Sequence, residues 1–323
     1  MTNYALIGAA GYIAPRHLKA MKDTGGILHA AYDINDSVGI MDSHFPDAAF
    51  FTEFEQFDAH VHDLRTRGTG IDYVGICSPN YLHKPHMGFA LRAGADAICE
   101  KPLVLDPSDI DDLAALEAET GKRIHSILQL RLHPAIKSLY ESVHSDDANQ
   151  TEKQDICLTY VTRRGKWYFQ SWKGDAERSG GVAMNIGVHF FDFLLWIYGS
   201  VQRSVLHLSE PDRMAGVLEL DRARVRWFLS VNENDLPADV RSAGGYAHRS
   251  ITVDGNEIDL SAGFTDLHSE VYRDILAGGG HGINAARSAI DLIYQLRNST
   301  PVSRRESAHP FVVNQGPVAM ATS

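Results

Sequence analysis

Three stretches of this chain place chemically capable residues at defined spacings. In Gly8-Ala9-Ala10-Gly11-Tyr12-Ile13, two glycines three apart join an apolar run to an amphipathic one. A tight glycine turn there brings backbone N–H groups and a helix N-terminus onto a pyrophosphate. The spacing is GxxG rather than GxGxxG, so it gains weight from Asp33, which closes the next apolar run where an acid accepts adenosine ribose hydroxyls. Asp33 repels a 2′-phosphate, and no arginine follows in Ile34-Asn35 to attract one, which selects NAD(H) over NADP. The plainer alternative for Asp33 is a helix cap. The second stretch pairs Cys77-Ser78-Pro79-Asn80-Tyr81-Leu82-His83 with Glu100-Lys101-Pro102. The third holds Asn185 and His189, four apart, which on a helix share one face and can address one ligand.

These residues need elements to hold them. Short apolar runs near 3–8, 27–33, 71–77, 95–99 and 124–129 alternate with helical patterns near 11–24, 53–67, 83–93 and 107–120. The last helix opens at Asp106-Pro107 and stops at Gly121. Alternation of this kind marks βαβ units and a parallel sheet, a Rossmann-like order that puts the Ser78 and Lys101 loops at the sheet edge where ligands bind. After about residue 150 the rhythm changes. Alternating residues at 156–161, 202–208, 214–231 and 249–260 predict antiparallel strands of a larger sheet. Gly180-Gly181 opens a helix running to Tyr198, and a final helix lies within 283–297. His133-Pro134 reads as a helix start. The polar end from Asn298, with Pro301, Pro310 and Pro317, predicts an irregular surface wrap. The fold class is thus an α/β Rossmann N-terminal domain over 1–130 and an α+β C-terminal domain over 131–323. The second carries a large, mainly antiparallel open sheet, and its last helix and tail are able to pack back on the first.

Composition bounds the function. A chain of 323 residues exceeds what one core usually supports, so two domains are expected. The 41 acidic against 30 basic residues give a net charge of −11 and argue against a nucleic-acid partner. The N-terminus lacks a signal-peptide pattern, and no stretch reads as long and apolar enough to span a bilayer. Cys77, Cys99 and Cys157 show no metal or redox spacing and sit in apolar runs, which suits buried reduced thiols and a cytoplasmic setting. No metal is expected, because neither His60-Val61-His62 nor His83-Lys84-Pro85-His86 has a third ligand at metal spacing.

The glycine turn, the strand-four loop and Glu100-Lys101-Pro102 resemble the Gfo/Idh/MocA oxidoreductase family. So does Trp172-Lys173-Gly174-Asp175 followed by Ser179-Gly180-Gly181 and the Asn185–His189 run, and the resemblance covers nearly the whole chain. Many members carry aspartate where this chain has Asn185. That departure, with Ile7 to His17 and Leu128-Gln129-Leu130-Arg131-Leu132-His133-Pro134, is similar to the WlbA/WbpB branch, which oxidises the 3-hydroxyl of a UDP-linked N-acetylated glucuronic acid (UDP-GlcNAcA) in bacterial surface-polysaccharide (lipopolysaccharide O-antigen) synthesis.

The resemblance implies a cofactor site of Gly8, Ala10, Gly11, Tyr12, Ile13, Asp33, Ser78, Pro79, Asn80, His83, Glu100, Lys101 and Gln129. Two courses are open for NADH: it dissociates each cycle, or it stays tightly bound and is reoxidised by a 2-oxo acid such as 2-oxoglutarate. Hydride leaves a carbinol carbon only as its hydroxyl proton is removed, so Lys101 and His189 are both candidate bases. Asn185 supplies a positioning hydrogen bond and Glu100 orients Lys101. Arg131 suits the sugar carboxylate. Arg163, Arg164, Lys166, Trp167 and Tyr168 suit a diphosphate and stacked uracil, with Lys173 a further cation, although a solvated loop has the same composition. A homo-oligomer, tetramer favoured over dimer, is implied by the open sheet of relatives. Two other functions fit less of the pattern: a dehydrogenase of a neutral polyol or free sugar, and a non-catalytic NAD(H)-binding sensor.

Overall fold

Tyr4, Ala5, Leu6 and Ile7 are all fully buried, the signature of a strand covered on both faces in the middle of a parallel sheet. In the computed structural model, which describes residues 1–145, 152–260, 266–302 and 307–313, they form β1 (Asn3–Ile7). Around it lie β2 (Ile27–Tyr32), β3 (Ala49–Phe51), β4 (Tyr73–Ile76), β5 (Asp96–Cys99) and β6 (Ile124–Ser126), all parallel in the order β3-β2-β1-β4-β5-β6. The order reverses between β1 and β4, where the strand ends open a crevice. The connecting helices are α1 (Ala14–Asp23), α2 (Met41–His44), α3 (Phe54–Thr66), α4 (His83–Arg92) and α5 (Ser108–Thr120). Gly121 ends α5 in a left-handed conformation, φ 68°.

The chain divides into two compact units: Met1–Pro134 with Gly263–Ile290, and Ala135–Ala262 with Asp291–Ser323. After α6 (Pro134–His144), the second unit builds a mixed sheet from β7 (Gln154–Thr162), β8 (Val201–Ser209), β9 (Arg213–Leu220), β10 (Ala223–Ser230), β11 (Ala247–Val253) and β12 (Asn256–Glu257). Its order is β12-β11-β7-β10-β9-β8, antiparallel throughout the described strands except where β7 runs parallel to β10. The predicted strand regions 214–231 and 249–260 each resolve into two strands, the latter turning at Asp254-Gly255 with both φ positive. Short helices α7 (Lys166–Gln170) and α8 (Ala176–Ser179) precede a wide π turn at Ala183–Gly187 that runs into α9 (Val188–Tyr198), whose Phe191 ring meets Trp227 of β10 edge-on at 5.2 Å. Contrary to the sequence expectation, the stretch Ala176–Tyr198 does reach the length and apolarity of a membrane span. Its mean hydropathy is 1.4, but 78% of that window is buried, because it forms the core of this unit.

Several short elements and one longer helix escape the sequence expectation. Strand β3, half-buried, and helix α2, which buries only Met41, are too brief for a period to show. Following α10 (Ala238–Ser242), helix α11 (Leu267–Leu276) buries Leu267, His268, Val271, Tyr272 and Ile275, a helical stripe interrupted by polar side chains, against the core around Tyr4, Leu18 and Met21. Helix α12 (Ile283–Arg297) lies where predicted. Residues 298–302 are exposed and irregular as expected, but 307–313 depart from a surface wrap: Ala308 and Val312, the latter within α13 (Pro310–Val313), are buried against Val161 and Phe228, since the few apolar residues among the polar ones find a partner. Pro317 lies outside the described residues. Cys77 and Cys99 are buried as expected, whereas Cys157 is half-buried.

Candidate active site and cofactor crevice

Four peptide N–H groups of the first turn, Gly8 to Gly11, are bonded within the protein. Gly8 N and Ala9 N donate to Tyr32 O at 2.8 and 3.2 Å, and Gly11 N to Gly8 O at 3.0 Å. Gly8 sits at φ 93°, and a Cβ there would come within 2.6 Å of Cys77 C and Ser78 N, so no other residue lets the β1 and β4 loops approach this closely. Asp33 is not a helix cap. One carboxylate oxygen accepts from Ala10 N at 3.0 Å and the other from Asn35 N at 2.9 Å, which draws the acid across to the glycine turn. Ile13 begins α1 and Tyr12 is 90% exposed beside it.

The loop after β4 is held by imidazoles. Ser78 Oγ meets His86 Nδ1 at 2.8 Å, while His83 directs Nε2 to Ser78 O at 2.9 Å and Nδ1 to Pro102 O at 2.7 Å. His83, expected at the cofactor, has a buried ring that spans two loops of the protein. Burial depresses His83, against its two carbonyl contacts, and lowers His86 to about 4. Ser78 and Asn80 are also buried and Pro79 leads into the turn that carries them.

Lys101, half-buried and joined to Pro102 by a cis peptide, donates its backbone N–H to Glu100 Oε2 at 3.2 Å. Glu100 thus bonds the Lys101 main chain. Its Oε1 faces His268 Nε2 at 2.8 Å and His17 Nε2 at 3.1 Å, and His17 Nδ1 faces Tyr272 Oη at 2.8 Å. Burial pushes the Glu100 carboxyl up, but hydrogen bonds from His17 and His268 outweigh it and hold it well below the usual carboxylate range. Neither His17, His268 nor Tyr272 was assigned a role from the sequence, although Leu267, Val271 and Ile275 carry the helical spacing that marks α11. Beyond β6, Arg131 is buried with Nη2 donating to Ala285 O at 2.9 Å. Gln129 is 8% exposed, and its Oε1 is buried without a hydrogen-bond partner among the described residues. An unpaired acceptor, an acid at the end of β2 and a glycine cradle at the strand reversal together fit a dinucleotide with an amide-bearing ring.

In the second unit, Asn185 and His189 are the two half-exposed positions in the run 182–190; every other residue there is buried. The wide turn brings Asn185 Nδ2 to donate to Tyr168 Oη at 2.8 Å. Tyr168, expected to help stack a base, is 2% exposed and its hydroxyl positions Asn185 instead. Burial raises its pKa, against the Asn185 bond. Trp167 and Phe169 on either side are 54% and 48% exposed. Arg163 and Lys166 are also exposed, Arg164 is half-buried, and Lys173 lies 4.1 Å above the Trp172 ring. Arg163 approaches Glu233 at 3.7 Å.

Among known proteins, residues 2–127 match the oxidoreductase family with NAD-binding Rossmann fold, Gfo/Idh/MocA, and residues 155–241 match that family's C-terminal alpha/beta domain. This chain belongs to the Gfo/Idh/MocA oxidoreductase family. Its residues 2–127 carry that family's NAD-binding Rossmann fold. The WlbA (WbpB) dehydrogenase of Thermus thermophilus is 51% identical with TM-score 0.91, over 96% of this chain and 100% of that one, in a crystal structure with NAD and alpha-ketoglutarate. A second crystal structure of the Thermus dehydrogenase, with NAD and UDP-GlcNAcA, is 50% identical at the same TM-score and the same coverage of both chains. An uncharacterized oxidoreductase of Rhizobium meliloti is 29% identical over 151 residues, 47% of this chain and 41% of its own length. The chain spans 41%, 36% and 57% of three of the curated relatives it matches.

Proposed function

We propose that this chain oxidises the 3-hydroxyl of UDP-GlcNAcA with NAD, as a step in making sugars of a bacterial surface polysaccharide such as O-antigen. The observation that carries the substrate is half identity, over nearly the full length, to a Thermus enzyme crystallised with that sugar nucleotide. When bound, NAD supplies the hydride acceptor. Asp33 accepts the ribose hydroxyls, the Gly8–Ile13 main chain holds the pyrophosphate, and the unpaired Gln129 Oε1 takes an amide donor.

Lys101 and His189 act on the sugar hydroxyl. One removes the proton as the C–H bond breaks, and the other orients the oxygen and stabilises its growing charge. Asn185, aimed by Tyr168, supplies a hydrogen bond to the same sugar. Arg163, Arg164, Lys166 and Lys173 supply charge for the diphosphate, Arg131 for the uronate, and Trp167 an exposed ring for uracil. The products are the 3-keto sugar, NADH and a proton. 2-Oxoglutarate then takes the hydride and proton to give 2-hydroxyglutarate and restore NAD, a reading supported by the Thermus complex with alpha-ketoglutarate. The active species is a cytoplasmic homotetramer, which light scattering of the purified protein checks.

Purified enzyme is mixed with UDP-GlcNAcA, UDP-N-acetylglucosamine or myo-inositol, with and without 2-oxoglutarate, and the near-ultraviolet band of NADH and the 2-hydroxyglutarate formed are followed. Turnover confined to the uronate, with 2-hydroxyglutarate formed only when 2-oxoglutarate is present, is expected. Turnover of inositol, or of the sugar lacking the carboxylate at an equal rate, overturns the substrate.

A further inference from the structure

Three residues far apart in sequence converge beneath Lys101. His17 comes from α1, Glu100 from the end of β5, and His268 from α11, and all three are buried. The two imidazole Nε2 atoms face one carboxylate oxygen at 3.1 and 2.8 Å. An ionised carboxylate only accepts, so both rings must carry their proton on Nε2. Burial lowers His17, so this ring is neutral and its Nδ1 accepts from the Tyr272 hydroxyl at 2.8 Å. The second oxygen of Glu100 is thereby left to accept from Lys101 N.

The three ligand atoms lie within 4.8 Å of one another, as in a two-histidine, one-carboxylate metal site. Their arrangement is that of a hydrogen-bond array instead. Both nitrogens point at the same oxygen at hydrogen-bond distance, whereas a metal would stand between them at about 2.0–2.2 Å from each ligand atom.

We infer that Glu100, gripped by His17 and His268, is the positioning residue that sets the main chain of Lys101 and so the aim of its ammonium group. The inference rests on Lys101 acting in the proposed reaction. On the other side of Lys101, the buried His83 ring lies between Pro102 O at 2.7 Å and Ser78 O at 2.9 Å, so a single N–H of the neutral ring ties the loops on this flank. Such fastening lowers the cost of ordering the lysine in the transition state, so its loss falls on kcat more than on KM.

The test uses Glu100→Gln, which keeps shape but turns a donor toward donors, and the pair His268→Leu and His268→Gln, of which the glutamine retains a donor near Nε2. Expected are kcat losses of about tenfold or more in Glu100→Gln and His268→Leu, with KM changed less than about threefold. His268→Gln should recover most of the His268→Leu loss. Amide exchange of a peptide spanning 100–104 should accelerate in the same two variants while that of β1 and β4 stays unchanged. Nitrogen-15 NMR of histidine-labelled wild type should show protonated Nε2 on both rings, a measurement that needs no variant to fold. The inference is overturned by wild-type kcat in Glu100→Gln, by equal behaviour of the leucine and glutamine variants, by unchanged exchange at 100–104, by an unprotonated Nε2 on either ring, or by one metal ion per chain bound through these histidines. If wild type turns over no uronate, the proposed reaction falls, and exchange and NMR alone decide this inference.

Discussion

The loop after β5 and the segment after β7 both carry cations, yet they are built in opposite ways. Around Lys101, Glu100 is 5% exposed, Leu103 and Val104 about 1%, and the polar groups are tied to imidazoles. Around Trp167, by contrast, side chains alternate between solvent and a single buried tyrosine, with Arg163 and Lys166 exposed. A group that must meet a reacting atom within tenths of an ångström is held by the interior, where alternatives are costly. A surface that recognises a diphosphate and a base can be ordered by the ligand it binds. Rates should therefore depend on the first region and apparent affinities on the second.

The largest expected effect comes from the fastened region. Lys101→Ala should lower the single-turnover rate of hydride transfer by about 10²–10⁴-fold, with an unchanged circular dichroism spectrum. A loss below tenfold would move the chemistry to His189. Next comes acid stability, which probes one ring in each unit. His86 and His309 are lowered to about 4, burial being the main cause in both, and His309 Nδ1 accepts from Phe311 N at 3.2 Å, so protonation breaks a bond. The unfolded chain takes up these protons below about pH 6.5 while the native chain stays neutral, so stability falls between about pH 6.5 and 4. Each ring contributes up to about 3 kcal/mol across that window, which thermal unfolding against pH will reveal. A melting temperature flat over this range would contradict it, and His309→Gln should flatten the slope in part.

Smaller effects sharpen the contrast. Trp167→Ala combined with Arg163→Ala should raise KM for the sugar nucleotide about tenfold and alter kcat far less, as steady-state kinetics will show. A reversed pattern would mean that the exposed segment helps to place the reacting carbon. Tyr168→Phe removes the acceptor of Asn185 Nδ2 and should lower kcat about fivefold, the equivalent of one net hydrogen bond. Loss of binding alone would place Asn185 with the exposed segment instead.

Much of this arrangement is legible in the chain because it is local. The burial of β1 on both faces, the glycine turn, Asp33 closing β2, the placing of Lys101 just past β5 and the four-residue step from Asn185 to His189 follow from period, turn chemistry and helix geometry. Elements that are short, or whose apolar stripe is broken by polar residues, were lost: β3 has three residues, and α11 hides its stripe among His268, Ser269 and Tyr272.

The sequence by itself determined at which ends of which strands and helices the chemically capable residues stand, since backbone periodicity sets that. Tertiary structure alone decided what holds them. His17 and His268 lie 83 and 168 residues from Glu100 along the chain, and nothing in residue type links them until burial makes each polar atom find a partner. For the same reason Tyr168, Trp167 and Phe169, adjacent and alike in composition, have different roles: the fold buries one hydroxyl beside Asn185 and leaves the other two rings to solvent.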